Sequence, residues 1–153
     1  MKINEYECSF PGKLWVAILE PDEPFAKLIN RFRFKKIGES ISENFNTFDD
    51  NIGLSLLRDR DMAIAGCYPV MNNDTGEYGI LTIIFMIDEL DTRTIAHESV
   101  HIADYFYEIG NINGESFSEG NESYAYLVGW SAGNISKTVI DYEKSNKGSR
   151  KRE

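Results

Sequence analysis

The chain reads as an α+β domain in which a small mixed or antiparallel sheet packs on two C-terminal helices. Three observations carry this reading. Ile80 to Ile87 is an unbroken apolar run rich in β-branched residues, the pattern of a buried strand. An amphipathic helical pattern follows from Thr92 to Glu108. A second helical pattern opens at Asn121-Glu122 and continues to about Tyr142, apolar nearly all round and so expected to be buried.

The elements follow in order. Leu14 to Leu19 reads as a first strand, ended by Pro21 and Pro24. Pro24 to Asn30 reads as a short helix. Residues 36–51 are polar and carry no clear period, with Phe45 and Phe48 as anchors to the core. Met62 to Met71 reads as a strand, and its Pro69, lacking an amide donor, argues for a sheet edge or a bulge. The cluster Asn72-Asn73-Asp74-Thr75-Gly76 is a turn, so 62–71 and 78–87 form a β-hairpin. Asp88 to Asp91 ends the second strand and supplies helix caps, and Gly110 stops the helix. Residues 1–143 make one domain. The basic segment 144–153 is expected to be a disordered tail.

At 153 residues with 42% hydrophobic content, the chain suits a single packed core. The net charge of −9 is a poor match for nucleic acid, all the more because the basic tail leaves the body more acidic still. The start, Met1-Lys2-Ile3-Asn4-Glu5, lacks the apolar stretch of a secretory signal, and no run approaches a membrane span. Two cysteines make no disulfide framework. These features favour a reducing, cytoplasmic setting without nucleic-acid or membrane partners.

Both histidines fall in one pentapeptide, His97-Glu98-Ser99-Val100-His101, inside the first helical pattern. At about 100° per residue, His101 lies about 40° from His97 on the helix wheel, and Glu98 about 100°. Two imidazoles one turn apart can grip one cation, and a glutamate beside the first is placed to activate a water. Asp104, Tyr105 and Glu108 share that arc, while Ile95, Val100, Ile102, Ala103 and Phe106 fill the opposite one. A catalytic zinc takes three protein ligands. With no further histidine, the third is a carboxylate, and Glu122 at the start of the next helix is the preferred candidate. Tyr126, Gly129, Gly133 and Ile140 share its face, the glycines suggesting close backbone approach.

His97-Glu98-x-x-His101 followed by Asn121-Glu122 resembles the gluzincin branch of the zinc metallopeptidases, in which a second helix supplies a glutamate ligand. With Ala125-Tyr126 and Gly129, it also resembles small prophage- or phage-associated proteins carrying the motif. The resemblance spans roughly Ile80 to Tyr142. It implies a small zincin-like fold and a Zn2+ ion on His97, His101 and Glu122. It further implies Glu98 as general base and a peptide or protein substrate. The additional histidine with which thermolysin-like enzymes stabilise the oxyanion is absent here. Tyr105, Tyr124 or Tyr126 can substitute as donor, and Tyr126 is taken as the candidate. Two alternatives keep the same residues: a non-catalytic phage-type binding or assembly protein with a zincin fold, and a metal-dependent hydrolase of a non-peptide amide.

Overall fold

A computed structural model describes residues 1–36 and 47–150. Its centre is a five-stranded sheet of order β1-β2-β5-β4-β3, formed by β1 (Lys2–Glu7), β2 (Lys13–Ile18), β3 (Phe32–Phe34), β4 (Ala65–Asn72) and β5 (Tyr78–Ile84). The sheet is mixed: β2 runs parallel to β5, and every other neighbouring pair is antiparallel. The expected α+β class, strand 14–19 and 62–87 hairpin are all present, with boundaries moved by a few residues. Asn72 closes the hairpin turn by taking the Gly76 amide on its carbonyl.

The apolar runs alternate between two cores, one on each sheet face. Trp15, Leu81 and Ile83 face α1 (Ala26–Arg31) and α2 (Ile52–Met62), packing with Leu28, Phe32 and Leu56. Leu14, Val16, Ile80 and Ile84 face α3 (Thr92–Ile109) and α4 (Glu122–Arg150), packing with Ile102, Phe106, Leu127 and Ile135. Burial on both faces explains why β2 and β5 read as continuous apolar runs rather than alternating ones. Gly79 marks the tightest strand contact, because a Cβ there would stand 2.1 Å from the Lys13 carbonyl oxygen.

Helix α3 begins as expected. The Asp91 carboxylate accepts the Thr94 amide at 2.8 Å and the Thr94 hydroxyl at 2.9 Å. At the other end Gly110 keeps a right-handed conformation, and Asn111 takes the left-handed one with φ of 50°. No helix among the described residues is long and apolar enough to cross a membrane.

Three expectations need correction. Met62 belongs to α2, a helix absent from the sequence reading, rather than to a strand. Helix α4 continues to Arg150, so 144–150 is helical where a disordered tail was expected. And α4 is not buried all round. Its inward stripe is Leu127, Ser131, Ile135 and Thr138, which turns Glu122, Tyr126, Gly129, Gly133 and Ile140 to solvent. A Cβ at Gly129 or Gly133 would meet nothing within 4 Å, so neither glycine serves a close approach. Of the unassigned stretch 36–51, Phe45 lies outside the described residues, while Phe48 bridges to Lys35 beside β3.

Candidate active site

Residues 65–69 of β4 lie alongside α3. Between them lies an open cleft of about 460 Å³. Helix α3 contributes His97, Glu98, His101, Asp104, Tyr105 and Glu108. The strand contributes Ala65 to Pro69, and Asp59 of α2 reaches in from the side.

The two imidazoles meet within the cleft, Nε2 to Nε2 at 3.1 Å, with their rings nearly perpendicular at 82°. Two nitrogens bound tetrahedrally to one zinc at about 2.0–2.1 Å would stand about 3.3–3.4 Å apart. The pair therefore fits chelation of a single divalent cation. Glu98 lies at the buried edge of the same arc and is only 5% exposed. Its Oε2 is sealed from solvent and has no hydrogen-bond partner among the described residues. A buried carboxylate oxygen left without a donor is costly.

The remaining walls are polar and mutually tied. Tyr68 donates to Asp59 Oδ2 at 2.7 Å, and Tyr124 of α4 donates to Asp104 Oδ1 at 2.6 Å. The Cys67 thiol sits within 3.3 Å of the Thr82 hydroxyl and 3.6 Å of the Glu98 carbonyl oxygen. Burial first, and then the Glu98 carboxylate, hold that thiol well above its ordinary pKa. Cys67 therefore stays a thiol at neutral pH and is no nucleophile. Burial likewise raises the Tyr68 and Tyr105 phenols, reinforced by Asp59 and Glu108 respectively. Tyr124 is pushed up to about 12 by burial and by its bond to Asp104.

Strand β3 is only three residues long and pairs with β4 from Val70 to Asn72. One further bond joins the Lys35 amide to the Pro69 carbonyl at 2.9 Å. Backbone groups two residues apart on a strand point the same way. Cys67 and Ala65 thus turn their N–H and C=O groups towards the outer edge, where no described strand pairs with them. The edge or bulge expected at Pro69 needs correction: β4 lies between β5 and β3, and Pro69 sits opposite Lys35 just past the end of β3, accepting its amide and offering no N–H in return.

No protein family, characterised protein or solved structure matches the chain.

Of the residues singled out in the sequence, the fold brings His97, Glu98, His101, Asp104 and Tyr105 into one cleft. It does not bring Glu122 or Tyr126 there. Both line a separate shallow recess with Ala125, Gly129 and Trp130 on the outer face of α4, and Tyr126 is 76% exposed. Among the described residues, no three His, Cys, Asp or Glu side chains converge closely enough to hold a metal ion. The imidazole pair offers two nitrogens to a cation, and the third protein ligand that a catalytic zinc takes is not assembled among the described residues. Sequence reasoning missed Asp59, because the helix that carries it has too weak an amphipathic pattern to be read.

Proposed function

We propose that the cleft is the active site of a zinc-dependent hydrolase of peptide bonds on a zincin-like scaffold, as the resemblance of the pentapeptide implies. The observation that carries this reading is a pair of imidazole nitrogens 3.1 Å apart in a cleft also lined by Glu98, a buried acid with one oxygen unpaired among the described residues. His97 and His101, as neutral imidazoles, would hold the ion. A zinc there supplies Lewis acidity and lowers the pKa of a water to about 7.

The protein's own groups supply the rest. Glu98 accepts the proton of the attacking water and returns it to the leaving amine. The Tyr105 phenol lines the cleft and stays protonated, which makes it the hydrogen-bond donor available to a developing oxyanion. The backbone of β4 at Ala65 and Cys67, which no strand among the described residues pairs with on its outer side, offers ladder hydrogen bonds to an extended substrate backbone.

A second reading has its own support. Glu122 faces solvent on α4, away from the imidazole pair, which favours a binding or assembly protein that keeps the scaffold without the chemistry. One experiment separates the two. Purified protein is titrated with zinc by calorimetry and then assayed on a fluorogenic peptide library, alongside Glu98→Gln. Stoichiometric zinc binding in both proteins, with hydrolysis by the wild type alone, supports the hydrolase. Zinc binding without hydrolysis by either protein supports the binding protein.

A further inference from the structure

We propose that the outer face of α4 is a self-association surface, on which a second copy of this chain docks with its own α4 antiparallel. The inference is independent of the hydrolase reading, because the recess on this face shares no lining residue with the imidazole cleft.

The face is a straight stripe. Counted from Gly133 at about 100° per residue, Glu122, Tyr126, Gly129, Ile140 and Lys144 all fall within about 40° of one line. They extend over about 33 Å of helix axis. The buried residues Leu127, Ser131, Ile135 and Thr138 lie on the opposite side, so the stripe is the outermost ridge of the helix. Nothing in the described chain covers it. Tyr126 is 76% exposed and Ile140 49% exposed. A Cβ on Gly129 or Gly133 would have no neighbour within 4 Å. Two mid-helix glycines weaken the helix, and no packing within the chain compensates.

The order of residues along the stripe singles out a second copy as the occupant. A two-fold axis through Gly133 sets each residue against the one equally far on the other side. Glu122 then stands opposite Lys144, and Tyr126 opposite Ile140. Among the described residues, neither Glu122 nor Lys144 has an ion-pair partner. The recess beside Tyr126, formed with Ala125, Gly129 and Trp130, gives the incoming Ile140 side chain an apolar seat. Lys137, drawn over the Tyr6 ring at 5.9 Å, comes opposite Gly129, where no side chain stands in its way. Gly133 meets its own counterpart at the axis, and without side chains there the two backbones can approach closely. The charged and apolar groups supply the recognition, and the glycines set only the distance. Each copy contributes both members of every pair, so the contact closes at two chains. A single ridge buries less surface than a permanent dimer uses, and the net charge of −9 repels like copies. The expected Kd is therefore about 10–100 μM.

The test is sedimentation velocity of the full chain in about 0.15 M salt, where charge effects reach only across close contacts. Loading concentrations run from about 1 to 500 μM, which brackets a small interface. Wild type is expected to pass from monomer to dimer and no further. Glu122→Lys and Lys144→Glu should each weaken the dimer about tenfold, since each turns two attractions into repulsions. The double variant should return to within about threefold of wild type. General charge repulsion predicts a different pattern. The first substitution makes the chain less acidic and would strengthen association, while the second makes it more acidic and would weaken it. Gly133→Lys should abolish the dimer while its monomer melts no lower than wild type, lysine being the better helix former and a Cβ there meeting nothing in its own chain. Four results would each overturn the proposal: a wild type monomeric throughout, single swaps of opposite sign, a double variant that stays dissociated, or a Gly133→Lys chain that still dimerises.

Discussion

Replacing Glu98 by methionine should make the protein more stable while removing its proposed base. The side chain is 5% exposed and leaves one oxygen sealed and unpaired among the described residues. Such a group costs about 1–3 kcal/mol, and exchanging it for an apolar side chain of similar size recovers much of that. For a chain of this length, each kcal/mol moves Tm by about 2–4 °C, so Glu98→Met should melt about 2–10 °C above wild type. Glu98→Gln keeps a buried amide and should gain less. The assay is thermal and urea unfolding of metal-free protein in chelator, with unchanged m-values verifying that the native state is the same. A loss of 1 kcal/mol or more in Glu98→Met would refute the reasoning, because it would mean that the carboxylate is held by donors and serves the fold. A gain would identify stability given up for a working site.

Other outcomes follow from the same geometry. His101→Ala should abolish zinc binding in calorimetry, whereas Glu122→Gln should leave the affinity within about twofold, one partner of a tetrahedral centre being indispensable and a solvent-facing acid not. A tenfold or greater drop in Glu122→Gln would restore that residue as third ligand. Gly79→Ala, whose Cβ would crowd the Lys13 carbonyl at 2.1 Å, should lose at least about 1–3 kcal/mol on urea unfolding, and an unchanged midpoint would contradict the strand register. Asp91 is held below its ordinary carboxylate pKa by the Thr94 amide and hydroxyl. Its charged form is thus favoured in the folded state, so it stabilises above the ordinary carboxylate range and less as pH falls through the lowered value. Asp91→Ala should therefore lower Tm at pH 7, with the deficit narrowing towards pH 3; a deficit growing in acid would reverse the sign.

The parts of the fold legible in the sequence are those where local pattern and tertiary demand agree. Helix α3 has a cap at Asp91, an apolar arc and a long run, and Ile80 to Ile84 is buried on both faces of the sheet. Elements with little to bury left weak traces. Strand β1 is an edge strand of mostly half-buried polar residues. Helix α2 buries only Ile52 and Leu56 while exposing Leu54, Leu57 and Met62. The orientation of α4 was misjudged for a specific reason. Its aromatic and glycine face looked like the packing face, but the inward stripe includes Ser131 and Thr138. Ser131 bonds the Leu127 carbonyl and Thr138 the Asn134 carbonyl, so both hydroxyls enter the core already satisfied. That substitution of hydroxyls for aliphatics hid the true face, and with it the direction of Glu122.

Every described residue lining the cleft lies between Asp59 and Glu108, a single stretch of the chain. Contacts within so short a span close small loops and incur little entropy, so they form readily during folding. The flanking strands β1 and β2 and the long helix α4 must instead be recruited across most of the sequence. A chain that has formed the hairpin and α3 already has both main walls opposed, and the distant segments serve to lock them in place. Amide exchange during refolding should accordingly protect the residues of β4, β5 and α3 before those of β1.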